Sequence, residues 1–166
     1  MTVPHPAFAT AAIISDRIAA VIGSTGRVSV EELSIQQLKK KAQGSELTWI
    51  VVSPEETTRA ASSRRRVRTG SASFSIAISV SKHTGDVGTG DRTAGAAFFD
   101  SVQSVIDAAM GIDDAHPDGQ SITLPAPWGS VTWPEEISEL PTDEDLSAMS
   151  VRSRTALFTF QVTRGA

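Results

Sequence analysis

The chain has 166 residues, of which 40% are hydrophobic and 20% charged, and its formal net charge at pH 7 is −4. This length suits one ordinary globular domain and is short for two, and the near-average composition excludes a wholly disordered chain. The absence of cysteine excludes a disulfide framework, a thiol nucleophile and a thiolate metal site. The apolar runs are far shorter than the ~20 residues that span a bilayer, and residues 1–6 lack the basic region of a signal peptide. We therefore expect a single domain over residues 1–166 that is made and kept in solution.

The N-terminal third predicts two helices and two strands. Apolar residues at helical spacing predict an amphipathic first helix, with Pro6 in its first turn and Gly23 at its end. The inward face of this helix comprises Ala7, Ala11, Ile14, Ile18, Val21 and Ile22. The predicted elements that follow are a strand over 27–31, a helix over 34–43, a strand over 47–52 that Pro54 ends, and a loop or hairpin arm over 53–63.

The clearest strand is predicted over residues 73–81, where large apolar side chains alternate with small and mostly polar ones, as in a strand with one buried face. A glycine-rich turn then leads into a long amphipathic helix over residues 94–110, which Asp91 or Thr93 caps and Gly111 ends. The inward face of this helix comprises Ala97, Phe98, Val102, Val105, Ile106, Ala109 and Met110.

The C-terminal part predicts a turn, an acidic connector and three further strands. The turn covers residues 112–119 and the connector 134–145, and the strands cover 122–124, 130–133 and 155–162. We expect the last strand to close the sheet beside the strand at 73–81, and extended arms or loops around 53–66 and 111–150. The fold class is therefore α+β, with a mostly antiparallel sheet packed against an N-terminal helix and one long central helix.

Two loop motifs have spacings that resemble those of ligand sites. Residues 85–90 have the spacing G-x-x-x-x-G of a phosphate-binding loop, but Asp91 and Arg92 stand where that motif requires Lys and then Ser or Thr. A carboxylate there would repel a phosphate, so a flexible turn is the favoured interpretation. A calcium loop at Asp114, His116 and Asp118 lacks its bidentate Glu, because the twelfth position is Pro125. We therefore expect no metal and no cofactor.

No catalytic residue is predicted. The three histidines, His5, His83 and His116, fall in predicted loops or termini, and no spacing pairs any of them with a nucleophile or a second ligand. We expect them to be solvated. The sequence also contains no G-x-S-x-G elbow.

Charge is sorted along the chain. We define the basic cluster as Arg59, Arg64, Arg65, Arg66 and Arg68. Residues 93–151 contain eleven carboxylates and no Lys or Arg, and we define the acidic segment, within 134–145, by Glu135, Glu136, Glu139, Asp143, Glu144 and Asp145. The basic cluster is interpreted as a solvated strand face, a protein interface or a DNA contact, and the acidic segment as a linker or a docking surface.

The order of the predicted elements follows a known arrangement over residues 7–162. An amphipathic helix leads to a strand ending in Val52-Ser53-Pro54, then to an arginine-rich approach into an alternating strand, Arg64 to Val80. One long helix, Ala94 to Met110, a variable acidic stretch and a closing strand, Ala156 to Val162, complete the order. This order resembles the tail terminator and tail completion proteins of long-tailed bacteriophages, the head-tail joining proteins of the neck. The 34–43 helix and the 125–133 segment are longer than in a minimal family member.

The resemblance implies a non-enzymatic structural protein of the virion with an α+β fold. Such proteins assemble as six-membered rings that cap the tail tube, stop its polymerisation and present a surface to the head connector. The implied partners are further copies of the chain, the tail tube protein and the head connector or stopper protein. DNA at most passes through the channel, without sequence-specific binding, and no membrane is involved.

Three alternatives remain open. The nearest is a head completion or stopper protein of the neck, which bridges portal and tail without capping the tube. The second alternative is a small enzyme or nucleotide-binding module that uses the 85–90 loop. The third is a monomeric ligand-binding module outside a virus.

A head-to-tail ring requires two different surfaces that fit each other. The basic cluster and the acidic segment would supply complementary surfaces of this kind, and assembly would then be sensitive to salt.

Replacing Arg64, Arg65 and Arg66 by Glu is expected to abolish ring assembly, because like charges would then meet across the subunit contact. Electron microscopy of the purified variant, with its mass in solution at low and moderate salt, measures the effect. Normal rings from this variant would refute the interface assignment.

Overall fold

The computed structural model describes residues 5–22, 26–30, 48–55, 71–83, 92–126, 128–131, 133, 138–140 and 151–163. Within these residues the chain forms two α-helices and seven β-strands. The helices are α1 (Pro6–Ile22) and α2 (Arg92–Met110). The strands are β1 (Gly26–Val30), β2 (Thr48–Glu55), β3 (Ser71–His83), β4 (Ile122–Thr123), β5 (Ser130–Val131), β6 (Ser138–Leu140) and β7 (Val151–Thr163).

Five of the strands form one sheet in the order β1-β2-β3-β7-β6. The β1–β2 pair is parallel and the other three pairs are antiparallel. The central pair is the longest, because all 13 residues of β3 face the 13 residues of β7, from Ser71 opposite Thr163 to His83 opposite Val151. This arrangement confirms the predicted α+β class, the mostly antiparallel sheet and the closing strand beside the central one.

Both helices pack on the sheet face that carries the large apolar side chains. α1 contacts β1, β2 and β3, and α2 contacts α1, β3 and β7. The single core between these layers includes Ile14, Ile18, Ile50, Val52, Phe74, Ile76, Ile78, Val105, Ala109, Phe158 and Phe160. β4 and β5 form a separate two-stranded hairpin, whose residues Ile122 and Val131 join the same core.

The predicted inward faces of the helices are correct except at single positions. In α1, Val21 in the last turn is 65% exposed, whereas Ile22 packs against the core. In α2, Ala97 is exposed while Phe98 is buried. One residue corresponds to a rotation of about 100° around a helix, which turns Ala97 away from the buried stripe.

The start of α1 is capped by a histidine. The Ala7 N–H donates to Nδ1 of His5 at 3.2 Å, and the Ala9 N–H donates to the His5 carbonyl at 3.3 Å. Pro6 is the first helical residue, as predicted, where its missing N–H is not needed. The expectation that His5 is solvated is wrong, because its ring is half-buried and satisfies a free N–H of the first turn.

Pro54 does not end the second strand, contrary to the prediction. β2 continues to Glu55, and Pro54 lies opposite Ile76 of β3. On its other side β2 pairs with β1 only as far as Val52. A proline has no N–H to donate. It is tolerated at position 54 because, in the described part of the sheet, β1 does not pair with β2 beyond Val52 and no hydrogen bond to β1 is needed there.

The second face of β3 is buried as well, so the prediction of one buried face is wrong. Ser75, Ala77, Ser79 and Ser81 are each at most 1% exposed. Two of the hydroxyls bond directly across to β7, Ser75 to Thr159 at 3.0 Å and Ser79 to Thr155 at 2.6 Å. These bonds satisfy polar atoms that would otherwise cost free energy on burial.

β6 was not predicted. It lies inside the acidic segment and pairs with residues 155–157 of β7, so part of this segment is a strand of the sheet. The predicted helix at 34–43, the stop at Gly23 and the cap at Asp91 lie outside the described residues. α2 begins at Arg92, which puts Thr93 inside the helix.

Replacing Phe160 by Ala is expected to lower the free energy of unfolding by about 3–5 kcal/mol. Its ring is 1% exposed and lies 5.6 Å from the ring of Phe74, so truncation leaves a cavity in the core. Urea denaturation followed by circular dichroism measures the change. The control is Phe99→Ala, expected to cost less than about 1 kcal/mol because this ring is 53% exposed. Equal losses in the two variants would contradict the proposed core.

Candidate functional site

The end of α2 is a glycine-terminated cap. The N–H of Gly111 donates to the Ala108 carbonyl at 3.1 Å, and the N–H of Ile112 donates to the Asp107 carbonyl at 3.0 Å. This pair of hydrogen bonds is typical of a Schellman motif, which requires a residue in the left-handed backbone conformation. Gly111 has a φ of 67°, so it supplies that conformation without strain and the predicted stop is confirmed.

A cation from the other helix completes this cap. α2 has no basic residue in its last turn, although positive charge there favours the helix dipole. Arg17 of α1 fills the role: its guanidinium donates to the carbonyls of Ala109 at 3.4 Å, Gln120 at 3.2 Å and Ser121 at 3.1 Å. Partial burial lowers the pKa of Arg17. The side chain thereby joins α1 to the end of α2 and to the segment that follows it.

The turn after α2 is held by a carboxylate. Asp113 Oδ1 accepts the His116 backbone N–H at 2.7 Å and lies 2.9 Å from Nδ1 of the His116 ring. The side-chain bond with His116 lowers the pKa of Asp113. Asp113 Oδ2 accepts a bond from Nε2 of Gln120 at 3.2 Å, and the same Nε2 donates to the Gly111 carbonyl at 2.8 Å. His116 is exposed to solvent, as expected, but its ring also contacts the Asp113 carboxylate.

Gly119 allows the turn to close against the end of α2. Its φ is 91°, and a Cβ at this position would lie 3.0 Å from the Met110 carbonyl oxygen. That same oxygen accepts the N–H of Gln120 at 2.8 Å. Only glycine fits both the left-handed backbone and this close approach.

Trp133 fixes the other side of the turn. Its Nε1–H donates to the Gln120 carbonyl at 2.8 Å. Its ring meets Phe158 and Phe160 edge to face, at centroid distances of 5.0 and 5.3 Å, a favourable aromatic geometry. Trp133 is therefore held by both the turn and the core face of β7.

These contacts frame an open cleft of about 540 Å³ at the C-terminal end of α2. The cleft is lined by His116, Asp118, Gly119, Gln120, Ser121 and Trp133. The amide nitrogen of Gln120 makes two hydrogen bonds, to the Gly111 carbonyl and to Asp113 Oδ2. The side chains of the lining residues are one carboxylate, one primary amide, one hydroxyl, one imidazole and one indole ring, a set that can accept hydrogen bonds from a ligand.

The residues predicted for the subunit interface fall almost entirely outside the described part of the chain. This holds for the whole basic cluster, Arg59, Arg64, Arg65, Arg66 and Arg68, and in the acidic segment for Glu135, Glu136, Asp143, Glu144 and Asp145. Glu139 lies in β6, opposite Ala156. The 85–90 loop is also outside the described residues, whereas His83 ends β3 rather than lying in a loop.

The calcium-loop residues Asp114, His116 and Asp118 are all exposed. Among the residues that the structure describes, no group of three or more His, Asp or Glu side chains is arranged to hold a metal ion.

Sequence reasoning did not find Arg17, Gln120 or Trp133 as site residues. Arg17 lies on a helix whose periodicity is explained by the core, and its nearest carbonyl partner along the chain is 92 residues away. The sequence signals for this region are the turn composition of residues 112–119 and the calcium-loop spacing of Asp114, His116 and Asp118.

No protein-family model matches the sequence, and a search of curated proteins finds no match. Within the described residues, neither helix is long and apolar enough to cross a membrane.

Replacing Arg17 by Met is expected to lower the free energy of unfolding by about 1–2 kcal/mol, because three carbonyls lose a charged donor while an unbranched side chain similar to the arginine stem is retained. The local readout is hydrogen exchange at the Gln120 amide, which should accelerate. Asp16→Asn, at the exposed neighbouring position, is the control and should change neither quantity. Unchanged exchange at Gln120 in the Arg17 variant would contradict the role of this side chain.

Proposed function

We propose that this chain is a structural protein of the virion at the head-tail junction of a tailed phage. In this proposal it forms a ring that caps the tail tube and joins it to the head connector. The observation that carries the proposal is the central sheet, in which β7 closes beside β3 while α1 and α2 cover one face. This is the element order and the fold class that the resemblance to tail terminators implies.

The distribution of charge supports a ring. Asp100 on α2 and Asp113, Asp114 and Asp118 in the turn are exposed, and residues 93–151 contain no Lys or Arg. The positive charge of the chain lies elsewhere, most densely in the basic cluster. A closed ring is built from one surface of each subunit meeting a different surface of the next, and opposite charges on the two surfaces select that pairing.

The proposed role requires no catalytic residue and no cofactor. The subunit contacts, a tail tube protein and a head connector or stopper protein are its binding partners, and the channel lets DNA pass without reading its sequence. Manufacture in the host cytoplasm and residence in the neck of the virion follow from this role.

Two other functions fit particular observations. A stopper protein of the neck would share the fold and the sorted charges, but it would bridge portal and tail without ending tube growth. A ligand-binding module outside a virus is favoured by the cleft at the end of α2, whose volume lies within the range of about 300–1,000 Å³ that is usual for ligand pockets.

Electron microscopy of the purified chain, alone and mixed with tail tubes, tests the proposal. We expect six-membered rings with a central channel, and rings bound at the end of tubes whose further polymerisation stops. Mass in solution at low and moderate salt should show that moderate salt weakens the ring. A chain that remains monomeric with tubes present and leaves their growth unchanged would overturn the terminator role. Tube binding without arrest of growth would replace it by the stopper role.

A further inference from the structure

The cleft at the end of α2 has the composition of an arginine-binding site. We propose that it receives arginine side chains from the basic cluster of a second copy of the chain. The proposal rests on the proposed ring function and deepens it, because it names a contact between neighbouring subunits.

The first support is the rigid indole ring. Trp133 is fixed by its bond to the Gln120 carbonyl and by edge-to-face contacts with Phe158 and Phe160, yet it still lines the cleft. A guanidinium stacks on a tryptophan ring by cation–π attraction, and Trp is the best partner for it. Because Trp133 is already immobilised, the contact costs little additional ordering.

The second support is the set of acceptors beside the ring. Besides Trp133 and His116, the cleft is lined by Asp118, Gln120 and Ser121, whose side chains carry a carboxylate, an amide and a hydroxyl. The Gln120 nitrogen donates to the Gly111 carbonyl and to Asp113, and an amide oxygen is an acceptor. A guanidinium has five N–H donors in one plane and accepts nothing, which matches a site rich in acceptors.

The surrounding charges favour a cation despite Arg17. Asp113 and Asp114 lie in the same turn as Asp118, so the turn carries three carboxylates. Arg17 is the opposing positive charge, but its guanidinium donates to backbone carbonyls of Ala109, Gln120 and Ser121. The local net charge is negative, so the binding of a further positive group is electrostatically favourable.

The occupant is a second copy for two reasons. The same sequence supplies a dense arginine cluster at residues 59–68, and a ring brings unlike surfaces of identical chains together. In addition, Trp133 is followed directly by Pro134-Glu135-Glu136, so the cleft is continuous along the chain with the acidic segment proposed for the same interface.

The test uses a peptide of residues 58–69 and, as receptor, the full chain in which Arg64, Arg65 and Arg66 are replaced by Glu. This receptor keeps only Arg59 and Arg68 of its own basic cluster, so competition from its own arginines is reduced. The peptide is expected to bind and to shift the indole N–H resonance of Trp133 in NMR spectra. Calorimetry should show that Asp118→Lys in the receptor weakens binding by about tenfold or more.

Asp114→Lys in the same receptor is the matched control, because it makes the same charge change in the same exposed turn but outside the cleft lining. It should weaken binding by less than about threefold, as expected for a screened surface charge. Circular dichroism should show both variants folded. A second control is the peptide with every Arg replaced by Lys, which keeps the charge but loses planar donors and stacking, and should bind more weakly.

Equal weakening by the two Lys variants, or equal binding of the Arg and Lys peptides, would overturn the cleft assignment and leave only general charge attraction. Ring formation is tested separately, by introducing Asp118→Lys into the otherwise unchanged chain. Normal rings from that variant would contradict the cleft contact but would be consistent with the ring function. If peptide binding depends on Asp118 but the chain forms no rings on tail tubes, the cleft assignment is supported and the ring function is contradicted.

Discussion

The pairing of β3 with β7 is the constraint on which the rest of the structure depends. Thirteen residues on each strand face each other without interruption, although the strands are separated by more than sixty residues of sequence. This pairing presents Phe74, Phe158 and Phe160 on one face, where they form the centre of the core. On the other face it aligns Ser and Thr hydroxyls that bond across the strands. Because both helices dock on the aromatic face, their relative position is set by this strand pair.

The candidate site is a consequence of that docking. Arg17 reaches the end of α2 only because α1 and α2 pack side by side on the sheet. Trp133 reaches the turn only because it rests on the two phenylalanines of β7. Gln120 joins the two, since its carbonyl accepts bonds from both Arg17 and Trp133. A cleft whose walls are held from three distant parts of the chain is preorganised, which lowers the entropy cost of binding.

In the proposed ring, the same geometry would allow a small acidic protein to assemble with itself. Its net charge of −4 is modest, but the carboxylates after residue 93 and the arginines before it are separated along the chain. The acidic turn at the end of α2 and the arginine-rich sequence of residues 59–68 carry opposite charges, and a proposed head-to-tail assembly would use two such complementary parts. Attraction between opposite charges alone does not fix the orientation of two subunits. Stacking of an arginine on Trp133 would add a directional contact. Such a contact is one physical basis for a ring of defined geometry.

By itself, the sequence determined the fold class, the two described helices and the long strands. The period of two at 73–81 and the helical spacing before Gly111 follow from backbone geometry, so they can be read from neighbouring residues. Only the tertiary structure decided that Ser75, Ser79 and Ser81 are buried, that Pro54 lies inside β2 and that a short strand forms within the acidic segment. It also decided that Arg17 caps a helix 92 residues away. The reason is that burial and bonding partners depend on which distant segments pack together, and no local periodicity carries that information.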